Sequence, residues 1–199
     1  ELVEQVEEWT ENDPGRVGAD DIEKVLLGAL EKFQRAFELD PSFCEALVEM
    51  GKINRKLGRV ELAVDQFKKA LDLMPVYPDS YEELLEIYTD GGEYEKAMRV
   101  AREWAKIEPD QTDPMEAVAE IYEEQGKIEE AIVALGRASK IVPSDSDVYI
   151  DLAELYERIG LAEEAEKHWR EAMKWIDAEE TEELQKILEQ IQELHAADH

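Results

Sequence analysis

The side chains that could do chemistry in this 199-residue chain are above all carboxylates. Several glutamates recur three or four positions apart, a spacing that places side chains on one face of a helix. Such a face could serve acid–base catalysis, metal binding or the recognition of a cationic partner. The glutamates with this spacing on which the argument depends are Glu82, Glu86, Glu116, Glu120, Glu123, Glu154 and Glu157.

Catalysis and metal binding find no further support in the residue types and their spacing. The histidines are His168, His195 and His199, and no two of them stand at metal-ligand spacing on one helix. The sequence has no glycine-rich phosphate loop after a strand, no nucleophile elbow and no calcium-binding loop of the EF-hand type. Acidic pairs are so numerous that none of them is diagnostic. We therefore predict a protein that is not an enzyme and that has no cofactor and no metal site.

The charge of the chain restricts its partners. With 51 acidic and 22 basic residues, the formal net charge is −29. Nucleic acids and anionic membrane surfaces repel such a chain, whereas cationic partners are attracted. No apolar run approaches the ~20 residues that a membrane-spanning helix needs. We expect a soluble protein without nucleic-acid binding or membrane insertion, and the compartment stays open, with the cytoplasm slightly favoured. Because the chain begins at Glu1, we also expect it to be trimmed or cut from a longer one.

A period of 34 residues organises the chain. Three columns of small or turn-forming residues share this period, which chance does not readily produce. The glycine column is Gly58, Gly92, Gly126 and Gly160; the alanine column is Ala29, Ala63, Ala97, Ala131 and Ala165; the proline column is Pro41, Pro75, Pro109 and Pro143.

Each period predicts a pair of helices. Apolar residues such as Tyr81, Leu84, Leu85 and Tyr88 recur at helical spacing before the glycine, and a second amphipathic stretch follows it. The glycine ends the first helix because it tolerates a left-handed conformation. The proline ends the second helix because it lacks a donor and disfavours helix before it. The alanine column allows the two helices to approach closely.

These columns resemble those of the tetratricopeptide-repeat family. The resemblance covers four units, at residues 44–77, 78–111, 112–145 and 146–179, and it implies an all-α fold, a right-handed α-solenoid of helix-turn-helix repeats. It also implies that first helices line a concave groove and that second helices form the convex back. We expect residues 1–43 to form an irregular N-terminal cap, with a short helix at 1–10 and the second helix of a partial first repeat at 22–39. Residues 180–199 are expected to form a C-terminal capping helix and tail.

The predicted capping helix leaves two interpretations open. In the first interpretation, the apolar stripe of this helix covers the last repeat. In the second, the stripe is a dimer contact, because unpaired apolar stripes mark interfaces. The residues of the stripe are Leu184, Ile187, Leu188, Ile191 and Leu194.

Aromatic and sulfur side chains are predicted to be structural. We expect Cys44 to be a small buried residue, since no cation neighbours it in the sequence. The four tryptophans, Trp9, Trp104, Trp169 and Trp175, stand at helix-face positions and are predicted to lie in the core.

Charge is divided unevenly between the predicted first and second helices. In the last three units the first helices carry many acids and a single base, Arg158, whereas the second helices mix both signs. The first full unit instead carries Lys52, Arg55 and Lys56. If first helices line a groove, it is acidic with a basic patch at one end, and a groove of one sign selects a ligand of the other.

We therefore predict a non-catalytic protein-interaction scaffold whose groove binds a basic peptide or protein segment. Two alternatives stay open. The acids could be solvated helix faces of an acidic protein, or the chain could be a structural assembly unit that associates through its ends, including a homo-oligomer through the capping helix. The predicted groove residues are Lys52, Arg55, Lys56, Tyr81, Glu82, Glu86, Glu116, Glu120, Glu123, Ile150, Glu154 and Glu157.

Overall fold

The computed structural model of the protein describes residues 19–176, 185–187 and 189–192, and every regular element in these ranges is a helix. The fold is all-α and consists of helix-turn-helix repeats, as predicted. The predicted helix at 22–39 is confirmed and begins three residues earlier. The helices are α1 (Ala19–Leu39), α2 (Cys44–Lys56), α3 (Val60–Leu73), α4 (Pro78–Asp90), α5 (Tyr94–Ile107), α6 (Asp113–Glu124), α7 (Ile128–Ile141), α8 (Ser146–Arg158) and α9 (Ala162–Ala172).

The glycine column ends the first helix of each pair, as the sequence predicts. These four glycines have φ between 67° and 75°, a left-handed conformation that L side chains rarely adopt. At the first of them, the amide of Gly58 donates to the carbonyl of Arg55 and the amide of Arg59 donates to that of Asn54. These bonds satisfy carbonyls at the helix end and turn the chain into the next helix.

The chain divides into two compact units, residues 1–92 and residues 93–199. In unit 1, α2 packs against α1 and α3, and α4 packs against α3. In unit 2, α6 packs against α5 and α7, and α8 packs against α7 and α9. The domain boundaries predicted at 43/44 and 179/180 stay predictions.

The core of unit 1 contains the buried alanines and one large ring. Ala63, Phe67 and Ala70 of α3 are completely buried. Cys44 is 4% exposed, and its thiol donates to the carbonyl of Ala70 over 3.4 Å. Cys44 is therefore the small buried residue that the sequence predicts.

The core of unit 2 contains two of the predicted tryptophans. Trp104 and Trp169 are buried, and each indole N–H donates to a carboxylate, that of Glu108 and that of Glu157, over 2.6 Å. The prediction for Trp175 is wrong, because this side chain is 46% exposed beyond the end of α9. Trp9 lies outside the described residues.

Two members of the C-terminal apolar stripe belong to the core of unit 2. Ile187 and Ile191 are buried in one cluster with Trp169, Ala172 and Ile176. Both therefore cover the last repeat, which is the role expected of a cap. Leu184, Leu188 and Leu194 lie outside the described residues, and so does the predicted helix at 1–10. Within the described ranges, no helix has the length and apolar character required to cross a bilayer.

Candidate functional site

Unit 1 places the predicted basic patch directly against the acids of the next first helix. Lys52 Nζ lies 3.1 Å from Asp79 Oδ2, and Arg55 Nη1 lies 3.0 Å from Glu83 Oε2. The second guanidinium nitrogen of Arg55 bonds Glu86, in a bidentate arrangement, and lies 3.4 Å from Asp90. A forked guanidinium suits such pairing with carboxylates.

The pairing offsets part of the negative charge in this region of the predicted groove, because two bases contact four carboxylates. Hydrogen bonds to Glu86 raise the pKa of Arg55, and the same bonds hold the pKa of Glu86 below its usual value. Lys52 and Arg55 are thus engaged with carboxylates of their own unit, contrary to the expectation of a basic patch that faces a ligand. Lys56 and Glu82 are exposed.

Two of the predicted groove residues, Tyr81 and Ile150, are apolar side chains that were expected to anchor a ligand, and the structure corrects the first of them. Tyr81 is 5% exposed and belongs to the core of unit 1, so its ring cannot project towards a ligand. The periodic pattern that placed it in the apolar stripe of α4 was the better guide. Ile150 is half-buried against the core cluster of unit 2.

Unit 2 brings together carboxylates from α6 and α8 without comparable compensation. We call these residues the acidic cluster, and Asp151 lies at its centre. Burial raises the pKa of Asp151 to about 7, and the surrounding negative charges act in the same direction. The acidic cluster consists of Glu116, Glu123, Asp147, Asp151 and Glu154.

Glu116 shares the surroundings of Asp151. Burial raises the pKa of its carboxyl, a hydrogen bond with Thr112 opposes the shift, and the charges of Asp145, Asp113 and Asp147 add to it. Its Oε1 is buried and has no hydrogen-bond partner among the described residues. A partly buried carboxylate with unused acceptor capacity can accept a bond from a cationic donor.

One base is paired with the acidic cluster within the described part of unit 2. Arg158 of α8 bonds Glu123. The other four carboxylates form no ion pair with a described residue. The cluster therefore carries an excess of negative charge, which is largest above pH 7, where Asp151 is mostly ionised.

The remaining predicted residues of unit 2 differ in their surroundings. Glu120 is exposed, as is Glu154 within the cluster. Glu157 accepts the indole N–H of Trp169 with Oε1, so this oxygen is engaged with the core of unit 2. Sequence reasoning omitted Asp147 and Asp151 from the candidate site. Asp147 and Asp151 are four residues apart and Asp151 and Glu154 are three apart, a spacing that already indicated one helical face.

The described part of the chain contains no metal-binding group, and its histidine packs against aromatic rings. No group of three or more His, Cys, Asp or Glu side chains in this part of the chain could hold a metal ion. His168 stacks against the ring of Tyr156, with centroids 5.2 Å apart, and against that of Tyr149 at 6.2 Å. Burial lowers the pKa of His168, which is consistent with a neutral packed ring.

Comparison with known proteins agrees with the repeat geometry. Models of the tetratricopeptide repeat match residues 48–114 and 119–160, which together exceed half of the chain. The chain belongs to the tetratricopeptide-repeat family. A comparison with curated proteins gave no match.

Solved tetratricopeptide-repeat structures share the fold. The protein MamA is 22% identical, with a TM-score of 0.59, over 80% of this chain and 95% of its own. The thermophilic repeat protein TTC0263 of Thermus thermophilus is 24% identical, with a TM-score of 0.56, over 87% and 91%. YrrB, described as a repeat protein with an unusual peptide-binding site, is 15% identical, with a TM-score of 0.53, over 83% and 91%. At these identities the likeness concerns the fold.

Proposed function

We propose that this tetratricopeptide-repeat protein is a non-catalytic interaction module and that the acidic cluster of unit 2 binds a basic protein segment. Repeats of this family generally mediate protein–protein interactions. YrrB provides a precedent for peptide binding on this fold. The observation that carries the proposal is the grouping of partly buried carboxylates around Asp151 with little compensation by bases.

A lysine or arginine of the partner would relieve the repulsion within the acidic cluster. Like charges at close range disfavour each other's ionisation, and a cation placed among them favours it. Because part of the cluster is buried, its interaction with such a cation is less screened by salt than that of an exposed pair. The net charge of −29 also attracts a basic segment from a distance.

Unit 1 is assigned a smaller part in this function. Glu86, a predicted contact, is already bonded to Arg55. Lys52 and Arg55 are likewise engaged, and they could bind an acidic residue at one end of the basic segment only by breaking their present ion pairs. Lys56, Glu82 and Glu120, all exposed, are retained as proposed peripheral contacts.

The test is the pH dependence of binding of lysine- and arginine-rich peptides. A group with a pKa of about 7 is mostly neutral near pH 6 and mostly charged near pH 8. Only the charged form attracts a cation, so affinity should increase as the pH rises through about 7. Titration calorimetry or fluorescence anisotropy with a set of Arg- and Lys-containing peptides measures the affinity at each pH.

Two isosteric variants distinguish the effect of the acidic cluster on binding from the effect of the net charge of the chain. Asp151→Asn should abolish most of the pH dependence and weaken binding near pH 8 by about tenfold, a loss of roughly 1.4 kcal/mol. Glu164→Gln removes the same charge from an exposed position of α9 and should change affinity less than about twofold. Equal effects of the two variants, or no affinity of the basic peptides, would reject the acidic cluster as a binding site.

A further inference from the structure

A cavity of about 330 Å³ lies in unit 2 between α5, α6 and α7. Its walls are mainly apolar: Met98 comes from α5, Met115 and Val118 from α6, and Val133 and Ala134 from α7. Val133 is 56% exposed, so the cavity opens beside an apolar side chain that the fold leaves uncovered. The volume is at the small end of the range for ligand pockets and suits a side chain or a short segment.

Two arginines border this cavity. Arg102 of α5 and Arg137 of α7 both line it, and both are exposed. Neither forms an ion pair with a described residue, although the chain carries a large excess of carboxylates. By contrast, Arg55, Arg158 and Arg170 each pair with a carboxylate of their own unit. The guanidinium groups of Arg102 and Arg137, like those of Arg59 and Arg99, are therefore not paired with a carboxylate of the described residues; what distinguishes Arg102 and Arg137 is their place at the cavity.

The charged residues of α7 give the cavity two ends of opposite charge. Glu129 and Glu130 line it from the first turn of the helix, where negative charge is favourable to the helix dipole. Arg137 follows Glu130 by seven residues, which is about 10 Å along the helix axis. The cavity thus has an acidic end and a basic end on α7, with apolar residues between them.

We propose that this cavity is a second docking site, which takes a protein segment with one large apolar side chain and a neighbouring aspartate or glutamate. The apolar side chain packs between Met98, Val118 and Val133. The carboxylate pairs with Arg102 or Arg137, whose guanidinium groups suit bidentate recognition. None of the five residues of the acidic cluster lines the cavity, so this site is independent of the proposed function. It selects an acidic segment, whereas the acidic cluster is proposed to bind a basic one.

The guanidinium groups at the basic end of the cavity decide the occupant, and the carboxylate of the bound segment lies at this end, away from Glu129 and Glu130. An acidic segment meets repulsion from the net charge of the whole chain, which acts over long distances. At physiological ionic strength this field is screened beyond about 8 Å, whereas a contact with a guanidinium persists. Binding in this cavity should therefore be detected at about 150 mM salt, because it does not depend on long-range electrostatic attraction.

The test uses a set of short fluorescent peptides in which a single Phe, Leu or Trp has Asp or Glu within four positions, in a Ser/Gly background. Each peptide is paired with one in which the apolar residue is Ala and one in which the acids are the neutral amides Asn or Gln, so that neither paired peptide is a ligand for the acidic cluster. Fluorescence anisotropy with the full chain should show saturable binding of acidic–apolar peptides and about tenfold weaker binding of both paired peptides.

Matched double variants locate the site. Arg102→Glu with Arg137→Glu should weaken binding of acidic–apolar peptides about tenfold or more. Arg99→Glu with Lys140→Glu makes the same change of charge at exposed positions three residues away on the same two helices, outside the cavity. The control should change affinity less than about twofold. Val133→Lys, a substitution of an exposed residue, should also abolish binding.

Three outcomes would overturn the proposal. The first is an absence of saturable binding across the peptide set. The second is an equal loss in the two double variants, which would indicate bulk charge. The third is a concentration-dependent dimer of the wild type, measured by sedimentation, that Val133→Lys dissolves, because a second copy of the chain would then occupy the cavity.

Discussion

At the scale of the residue, the ring of Phe67 leaves no room for a side chain at position 51, which is a glycine. A Cβ at this position in α2 would meet the ring of Phe67 at 2.6 Å, and that ring is completely buried. We expect Gly51→Ala to lower the free energy of unfolding by about 1–3 kcal/mol, the usual cost of overpacking. Urea denaturation followed by circular dichroism measures the change.

Gly28 provides the matched control for this prediction. It lies within α1, and a Cβ there would meet no atom within 4 Å. Gly28→Ala should therefore raise the free energy of unfolding by up to about 1 kcal/mol, because alanine loses less backbone entropy in a helix than glycine. A stabilising Gly51→Ala would show that Phe67 can move at little cost.

At the scale of the element, the C-terminal helical residues decide between a cap and a dimer contact. Ile187 is 2% exposed and packs in the cluster of Trp169 within unit 2. Ile187→Ala should lower the free energy of unfolding by about 2–4 kcal/mol, through lost burial and a new cavity. Gln192→Ala changes an exposed position of the same segment and should have an effect within about 0.5 kcal/mol.

Solution mass distinguishes the two interpretations of this segment. If it acts as a cap, Ile187→Ala lowers stability at every protein concentration and leaves the molecular mass unchanged. If the stripe is a dimer contact, the wild type shows a mass that increases with concentration and that the variant lowers. The burial of Ile187 and Ile191 inside the unit favours the cap.

At the scale of the whole molecule, the net charge of −29 should control stability. Self-repulsion of like charges disfavours the compact state, and salt shortens its range from about 10 Å at 0.1 M to about 3 Å at 1 M. We therefore expect the midpoint of thermal unfolding to rise by several degrees, about 2–8 °C, as NaCl increases over this range. The ion pairs of Arg55 oppose the trend, but one local network is small beside the total charge.

A variant with fewer exposed acids checks this explanation. Glu31→Gln, Glu103→Gln and Glu124→Gln together remove three exposed charges and should reduce the response to salt. Differential scanning calorimetry in NaCl measures both proteins. A midpoint that falls with salt would mean that ion pairs, and not repulsion, dominate the electrostatics of this chain.

The sequence alone determined the repeat and the role of its columns. The 34-residue period, the left-handed glycines and the buried alanines are local or periodic properties, because a helix places residues on faces by spacing and a glycine adopts its turn without help from distant residues. The same spacing identified one acidic face on α6 and another on α8. The sequence could thus predict which helices carry the candidate site.

Only the tertiary structure decided which charges remain available. Arg55 is paired because α2 and α4 come together in unit 1, and Asp151 is partly buried among carboxylates because α6 and α8 do so in unit 2. Tyr81 is more buried and Trp175 more exposed than predicted for the same reason. Whether a side chain faces solvent, a partner or a core depends on the neighbouring helix that covers it, and spacing along one helix carries no information about that neighbour.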